Sequence, residues 1–160
     1  MPPWPAPNTM NTSYRVRDVM TAPAVSIPHT ASLLEAALAL RSSSIRHLPI
    51  VQGKQLVGII TDRDIQRCAP SRLMPVSEEQ YNAIFENTPL TRVMTRDPHT
   101  ISPDALLSEA ASILQNGKFG CLPVVENDEL VGILTRTDLM AVLSRLLSGE
   151  SPLPRTGVGD

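Results

Sequence analysis

The sequence predicts an α+β fold built from two copies of one β-α-β-β-α unit. Residues 19–65 and 93–139 carry the same pattern at a constant offset of 74 residues, without a gap. The match is clearest in a Leu-Pro segment, where His47-Leu-Pro-Ile-Val51 corresponds to Cys121-Leu-Pro-Val-Val125. A register that persists through helices, strands and turns indicates that one supersecondary unit was duplicated and that both copies keep its geometry. Two similar halves predict two similar sites.

The first copy begins with a short strand and a helix. The strand is predicted at Val25-Ser-Ile27 and is ended by Pro28. Thr30 or Ser32 can cap a helix that continues to about Ser43, because apolar residues recur at helical spacing after them.

The second copy repeats this order, with a strand at Thr100-Ile101, Asp104 as the predicted helix cap and Gly117 as the helix end. In both copies two apolar runs around a polar tetrapeptide then predict a hairpin, and a last helix follows. The predicted bounds of hairpin strands and last helix are 48–51, 56–60 and Asp62–Cys68 in the first copy, and 122–125, 130–134 and Arg136–Leu147 in the second.

These elements divide the chain into two repeats, 15–69 and 90–148, joined by a linker at 70–89. The linker is expected to contain a helix over Glu78–Glu86, which a Ser-x-x-Gln capping box would start. Residues 1–14 and 149–160 are rich in proline, glycine and polar residues, and they are predicted to be disordered tails.

The composition argues against several classes of protein. The chain has 160 residues, of which 42% are hydrophobic, and 14 basic against 16 acidic residues give a net charge of −2. This balance offers no electrostatic surface for nucleic acid, and no apolar run is long enough to span a membrane. No signal-peptide pattern is present either, so we expect a cytoplasmic protein. Cys68 and Cys121 occupy non-equivalent repeat positions and form no CxxC, which favours two reduced thiols.

Three motifs recur in the same order in both copies. They are Val-Met-Thr, ending at Thr21 and Thr95, the Leu-Pro-Ile/Val-Val strand, and Val-Gly-Ile-Ile/Leu-Thr-x-x-Asp, ending at Asp64 and Asp138. They resemble the cystathionine-β-synthase (CBS) domain, present as the tandem pair called a Bateman module, in a layout similar to that of the acetoin-utilisation CBS proteins. The resemblance covers residues 17–147.

The resemblance implies a three-stranded sheet with two helices in each repeat, and packing of the repeats about a pseudo-two-fold axis through their sheets. It also implies two related pockets between the repeats, which bind adenosine-containing ligands in many members. Members with a bare CBS pair commonly dimerise through their helices into a flat four-copy disc, so a homodimer is expected.

Thr61 with Asp64, and Thr135 with Asp138, stand where a strand gives way to a helix. Backbone N–H groups and the helix dipole there favour a phosphate, and a carboxylate can accept hydrogen bonds from two ribose hydroxyls. The resemblance implies this division between phosphate and ribose. Thr-x-x-Asp is also an ordinary capping box that needs no ligand, and one carboxylate oxygen can cap while the other meets a ligand.

Two further residue sets are candidates. The resemblance implies adenine contacts near the short first strands, at Ser26, Ile27, Thr100 and Ile101. Gly58 and Gly132 lie inside strands, which indicates a close approach either of a ligand or of the neighbouring copy.

The copies differ where phosphate charge would be met. Arg46 and His47 precede the first Leu-Pro segment, whereas Gly120 and Cys121 precede the second. Arg63 and Arg136, in the two Thr-x-x-Asp stretches, can also neutralise a phosphate, because the guanidinium fork matches its oxygens. We therefore expect two pockets of unequal affinity.

The sequence gives little support for a metal site or for catalysis. His29, His47 and His99 share no metal-ligand spacing, no catalytic triad or phosphate-loop pattern is visible, and enzymatic activity is not expected. The last helix has a broad apolar face that either covers its own sheet or continues into a dimer seam. The main hypothesis is a regulatory sensor of AMP, ADP or ATP that requires no cofactor. The alternatives are a ligandless dimerisation scaffold and a pathway-specific accessory protein.

Overall fold

The computed structural model describes residues 13–71 and 73–153 of the chain. Most of the two predicted tails, at 1–12 and 154–160, lies outside the described residues. The elements in chain order are β1 (Ile27–Pro28), α1 (Leu33–Ser42), β2 (His47–Gln52), β3 (Gln55–Thr61), α2 (Asp62–Cys68), α3 (Glu78–Glu86), β4 (Thr95–Arg96), α4 (Leu107–Asn116), β5 (Cys121–Glu126), β6 (Glu129–Thr135) and α5 (Arg136–Leu147). The predicted α+β fold of two similar repeats is confirmed.

Helices α2, α3 and α5 have the bounds that the sequence predicts, because local capping boxes set where they start. Thr61, Ser77 and Thr135 each accept a hydrogen bond from the backbone N–H three residues later, and the side chain at that later position accepts one in return. Helix α1 starts after Ser32, one of its two predicted caps, through the same kind of box.

The predicted cap of the second repeat, Asp104, is wrong. Helix α4 begins at Leu107, and its N-cap residue Leu106 makes no side-chain cap hydrogen bond. The Leu107 N–H donates instead to the backbone oxygen of Tyr14 at 2.7 Å, while the Asp104 carboxylate pairs with Arg17 at 2.5 Å. A distant segment therefore satisfies the start of this helix, and local sequence does not reveal it.

The short strands also differ from the prediction. β1 covers only the end of the predicted strand and includes Pro28. Thr100-Ile101 is not a strand, since Ile101 forms an isolated bridge to Val124. α4 does end at its cap Gly117, but Gly117 has a right-handed φ of −80° and the positive φ falls on Lys118.

The two sheets exchange the segments that lead into each repeat. We call residues 14–24 and 88–98 the lead-in segments of repeats 1 and 2. The first sheet has the order β1-β2-β3-β4, so the second lead-in adds β4 to the sheet of repeat 1. In the other sheet β5 pairs with β6, and Thr21 of the first lead-in bridges to Ile133 in β6. Each repeat thus pairs its last strand with the lead-in of the other.

The same exchange completes the two hydrophobic cores. Val16 and Leu90 are equivalent at the offset of 74 residues, and both are fully buried. Val16 belongs to the core of repeat 2 with Leu107, whereas Leu90 belongs to the core of repeat 1 with Leu33. Burying a Val or Leu side chain stabilises a fold by about 1.5–3 kcal/mol. The core of each repeat is therefore completed by the lead-in segment of the other.

The strand glycines admit these lead-in segments. A Cβ added at Gly58 would lie 2.5 Å from the sulfur of Met94 and 3.0 Å from the backbone oxygen of Thr95. At Gly132 it would lie 2.8 Å from the sulfur of Met20 and 2.9 Å from the oxygen of Thr21. Of the two alternatives for these glycines, the structure shows close approach of the neighbouring copy.

A third, small core joins the repeats at their centre. It contains Ile59 of β3 and Ile133 of β6, which are equivalent in the repeat, together with the buried Cys121. Contact between equivalent residues places the pseudo-two-fold axis between the two sheets. Within residues 13–71 and 73–153, no helix combines the length and apolar character that crossing a bilayer requires.

Candidate ligand pockets between the repeats

Two cavities of similar volume lie between the repeats and are related by the repeat offset. Pocket A, of about 450 Å³, is lined by Thr21, Val25, Ser44, Ile45, Arg46, His47, Gly120, Ile133, Thr135, Thr137 and Asp138. Pocket B, of about 460 Å³, is lined by His47, Ile59, Thr61, Thr95, Asp97, Pro98, His99, Lys118, Phe119, Gly120, Cys121 and Pro123. Both volumes fall within the usual size of small-molecule sites. Each pocket takes its lead-in from one repeat and its Thr-x-x-Asp threonine from the other.

In both repeats the Thr-x-x-Asp stretch forms the capping box. Asp138 Oδ2 accepts hydrogen bonds from the Thr135 backbone N at 2.7 Å and its hydroxyl at 2.9 Å. Asp64 Oδ2 does the same with Thr61, at 2.9 and 2.8 Å. The other oxygen of each carboxylate takes no part in the cap. Asp138 Oδ1 has no partner among the described residues, whereas Asp64 Oδ1 lies 4.0 Å from Arg67.

The structure brings one complete Thr/Asp pair into a pocket. Thr135 and Asp138 both line pocket A. Thr61 lines pocket B, but Asp64 is not among the residues that line it. A ligand in pocket A would therefore meet an acceptor that a ligand in pocket B would not.

None of the four residues predicted near adenine lines either pocket. Ile27 and Ile101 are buried in the two separate cores, and Ser26 and Thr100 are exposed. The wall is formed instead by Val25 in pocket A and by His99, its repeat equivalent, in pocket B. Sequence reasoning missed both because they lie outside the regular strands, where alternation of side chains does not apply.

The apolar walls differ between the pockets. In pocket A, Val25 is 45% exposed and Ile45 is half-buried, so both aliphatic side chains can receive a flat ring. In pocket B the equivalent residues His99 and Phe119 stack on each other, with ring centroids 5.4 Å apart. That aromatic pair covers part of the surface that pocket A leaves open.

A third cavity, the central cleft, adjoins both pockets and has a volume of about 600 Å³. The predicted residues Arg46, Arg63 and Arg136 line it, together with Lys118, which the sequence did not single out. Arg136 donates to the backbone oxygen of Leu114 at 3.0 Å. In the described part of the chain, Arg46, Arg63 and Lys118 form no salt bridge. Four cations against the single carboxylate Asp62 make this cleft attractive to an anion.

His47 and Cys121 occupy equivalent positions but have different ionisation. Burial lowers the pKa of His47; nearby Asp62 raises it, Arg46 lowers it and Asp64 raises it, in decreasing order of effect. Burial raises the pKa of Cys121 to about 12, so this side chain stays a neutral thiol. Cys68 and Cys121 form no disulfide. No group of three or more His, Cys, Asp or Glu side chains in the described ranges is arranged to hold a metal ion.

Comparison with known proteins identifies the repeat. The model of the CBS domain family matches residues 16–70 and 90–145, more than half of the chain. A CBS domain-containing protein of Dictyostelium discoideum is 30% identical over 139 residues, or 86% of this chain and 96% of that protein. An inosine-5'-monophosphate dehydrogenase of Korarchaeum cryptofilum is 32% identical over 79% of the chain, which spans only 23% of that enzyme.

Solved structures give the same result. A protein described as an acetoin utilization protein (AcuB) from Vibrio cholerae is 37% identical, with a TM-score of 0.71 over 84% of this chain and 93% of that one. The CBS domain pair of protein MJ0100, in complex with 5'-methylthioadenosine and S-adenosyl-L-methionine, is 29% identical, with a TM-score of 0.66 over 85% and 97% of the two chains. CBSX2 in complex with AMP is 26% identical, with a TM-score of 0.69 over 84% and 98%. This chain belongs to the CBS domain family, as a tandem pair of CBS domains that is similar to AcuB.

Proposed function

We propose that this CBS pair is a regulatory sensor that binds an adenosine-containing nucleotide, AMP, ADP or ATP, between its repeats. The observation that carries the proposal is the composition of pocket A. Aliphatic Val25 and Ile45 come from repeat 1, and Asp138 comes from repeat 2, with one carboxylate oxygen that has no partner among the described residues. The nucleotide acts as a regulatory ligand and no catalytic role is assigned to the chain.

Each part of a nucleotide has a suitable partner in this arrangement. The adenine ring fits between the aliphatic side chains of Val25 and Ile45, where its flat apolar faces leave water. Asp138 Oδ1 can accept hydrogen bonds from ribose hydroxyls without breaking the cap that Oδ2 makes. The phosphate then lies toward Arg46 and the other cations of the central cleft.

The ligands of similar proteins support this chemical class. CBSX2 binds AMP, and MJ0100 binds 5'-methylthioadenosine and S-adenosyl-L-methionine. All three ligands contain adenosine and differ in charge. Val25, Ile45 and Asp138 would recognise the adenosine that these ligands share. The cations of the central cleft would then recognise the charged group in which the ligands differ.

We infer that pocket A binds more tightly than pocket B. Pocket A has both members of a Thr/Asp pair and open aliphatic walls, whereas pocket B lacks Asp64 and contains the stacked His99 and Phe119. Pocket B also has Asp97 at its wall, which repels a phosphate.

Binding would favour one relative orientation of the repeats. The pocket walls come from both repeats, so a ligand stabilises only arrangements that keep its contacts together. Helix α5 offers a route outward from the pocket, since it starts at the cap Thr135. Its residues Leu139 and Val142 pack against the core of repeat 2, and its remaining large apolar side chains are exposed, namely Met140, Leu143, Leu146 and Leu147. We propose that this exposed face contributes to a homodimer in the form of a four-CBS disc, which transmits the change to a partner protein in the cytoplasm.

Thermal unfolding tests the proposed function. The nucleotide-free protein would be heated with AMP, ADP, ATP, NAD or S-adenosylmethionine. A ligand at about 100 times its dissociation constant adds roughly 2.7 kcal/mol of stability, which raises the Tm by several degrees for a domain of this size. We expect at least one adenine nucleotide to raise the Tm, and a double variant, Asp64→Asn with Asp138→Asn, to lose that response while remaining folded.

The second candidate function is a dimerisation scaffold without a ligand. It is favoured by one observation: both Thr/Asp pairs form complete capping boxes, a role that accounts for these residues without a ligand. If the scaffold is correct, none of these compounds shifts the Tm, and the double variant is only less stable than the natural protein.

A further inference from the structure

His47 is shared by the two pockets. Among the described residues, His47 and Gly120 are the two that line pocket A, pocket B and the central cleft. A Cβ on Gly120 would lie 2.9 Å from Cε1 of the His47 ring and closer still to Nε2. The imidazole therefore rests on the backbone of residue 120, in the space that a side chain there would need.

The internal repeat shows that this arrangement has no counterpart. Gly120 is the equivalent of Arg46, and Cys121 is the equivalent of His47. The Cys121 side chain is a buried thiol whose pKa is raised to about 12, so it does not change charge near neutral pH. One titrating ring thus stands between two pockets that occupy equivalent positions in the repeat.

The surroundings favour the neutral form of this ring near pH 7. Burial is the largest effect on the pKa of His47 and lowers it from the ordinary value of about 6.5. The charged groups around the ring are Arg46 beside it, Asp62, Arg63 and Asp64 from α2, Lys118 before β5, and Arg136 and Asp138 from α5. Pocket B adds Asp97 and His99. The bound phosphate of a nucleotide would add negative charge to this set.

We propose that His47 takes up a proton from solvent when a phosphate-bearing adenosine ligand binds beside it, and thereby selects anionic over uncharged adenosine compounds. The inference rests on the proposed adenosine binding. A neutral imidazole has one N–H donor, whereas the imidazolium has two donors and a positive charge. Hydrogen bonds between charged partners are roughly twice as strong as neutral ones. An uncharged adenosine compound brings no charge to stabilise the added proton, and so binds without it.

The shared position of the ring has a second consequence. A single imidazolium between pockets A and B carries one positive charge, which two bound phosphates would have to share. A second anionic ligand therefore brings no further proton to the ring, and it binds more weakly than the first. When the ligand is an uncharged adenosine compound, binding in one pocket does not weaken binding in the other through His47.

Calorimetric titration of the full chain with AMP and with adenosine tests the inference. Titrations at pH 7.5 in two buffers of different ionisation enthalpy give the number of protons taken up per ligand. We expect greater uptake per AMP in the natural protein than in His47→Gln, and no difference between them with adenosine. The affinity of the natural protein for AMP should fall by about threefold to tenfold more than that of His47→Gln between pH 6.5 and 8.0.

Two further variants complete the experiment. Gly120→Ala adds a methyl group that meets only the end of the His47 ring, so it should displace the ring and reduce proton uptake as His47→Gln does. This variant gives the same comparison if His47→Gln does not fold. His29→Gln, a histidine that lines none of the three cavities, should behave as the natural protein.

The outcomes separate the inference from the proposed function. Equal proton uptake per AMP in the natural protein and in both His47→Gln and Gly120→Ala would overturn the role of His47 and leave nucleotide binding intact. Binding of neither AMP nor adenosine by the natural protein would overturn the proposed function and this inference together.

Discussion

Pocket A and pocket B occupy equivalent positions in the duplicated fold, but a nucleotide would meet different side chains in each. Pocket A offers Asp138, Arg46 and the open side chains of Val25 and Ile45. Pocket B offers Asp97 and a stacked aromatic pair, and Asp64 lies outside it. The Thr-x-x-Asp stretches beside the pockets form the same capping box in both repeats. Duplication has therefore preserved the scaffold, while the residues facing a ligand have diverged.

The largest effect on stability is expected when a buried side chain of an exchanged lead-in segment is shortened, because both pockets are built on these segments. Leu90→Ala removes a fully buried side chain from the core of repeat 1 and should lower the free energy of unfolding by about 2–5 kcal/mol. Val16→Ala, at the equivalent position in the other core, should cost less because it removes fewer atoms. Urea unfolding followed by circular dichroism measures both.

The control for these two variants is Leu73→Ala, because the Leu73 side chain is 92% exposed. It should change stability by less than about 0.5 kcal/mol. A loss for Leu90→Ala as small as that of Leu73→Ala would show that the exchange does not hold the repeats together.

Alanine substitutions at three glycines should distinguish contacts with the lead-in segments, at Gly58 and Gly132, from the contact with His47, at Gly120. Gly58→Ala and Gly132→Ala each push a methyl group against backbone oxygen of a lead-in, and should destabilise the protein by about 1–3 kcal/mol. Gly120→Ala should cost less, because its methyl group meets the movable end of the His47 ring. Thermal unfolding of the three variants gives their order, and the largest loss at Gly120 would contradict this account.

The capping boxes that start α2 and α5 should contribute similarly to stability, although only the aspartate of the α5 box is expected to contact a ligand. Thr61→Ala and Thr135→Ala each remove an N-cap oxygen and should destabilise the protein by about 1 kcal/mol. Thr30→Ala, an exposed threonine that caps no helix, serves as the control. A lower Tm in only one of the two cap variants would contradict this expectation.

The smallest expected effect concerns pH. The pKa of His47 is lowered in the folded protein, so below about pH 6.5 the unfolded chain binds more protons than the folded one. The stability contributed by neutral His47 is present above that pH and is lost as the pH falls below it. We expect ligand-free His47→Gln to lose less stability between pH 7.5 and 5.5 than the natural protein, as measured by urea unfolding. Identical losses would show that burial of this ring has no energetic consequence.

Local sequence predicted those features of the fold that local interactions determine. Helices α2, α3 and α5 were predicted at their observed bounds because a Thr or Ser cap and its partner three residues later lie in one stretch of chain. The start of α4 was predicted incorrectly because its first N–H bonds to Tyr14, about ninety residues away along the chain. The exchange of lead-ins was not predicted for the same reason, since no local pattern says which repeat a segment joins.

The candidate site was predictable to a similar extent. The Thr/Asp pairs and the arginines near the cleft follow from the repeated motif and from the differences between its copies. Val25, His99 and Lys118 were missed as lining residues because their positions depend on how the two repeats pack. The difference between Asp138 and Asp64 is likewise a result of packing, since both have the same motif and the same cap.

The central claim, that pocket A is the principal nucleotide site, is tested most directly by a matched pair of carboxylate variants. Calorimetric titration with AMP would be performed on Asp138→Asn and Asp64→Asn, which weaken equivalent caps by the same chemical change. Hydrogen bonds to charged groups contribute about 1.5–3 kcal/mol, so Asp138→Asn should weaken AMP binding by at least about tenfold, while Asp64→Asn should change it little. Equal losses in the two variants, or a larger loss in Asp64→Asn, would contradict the account.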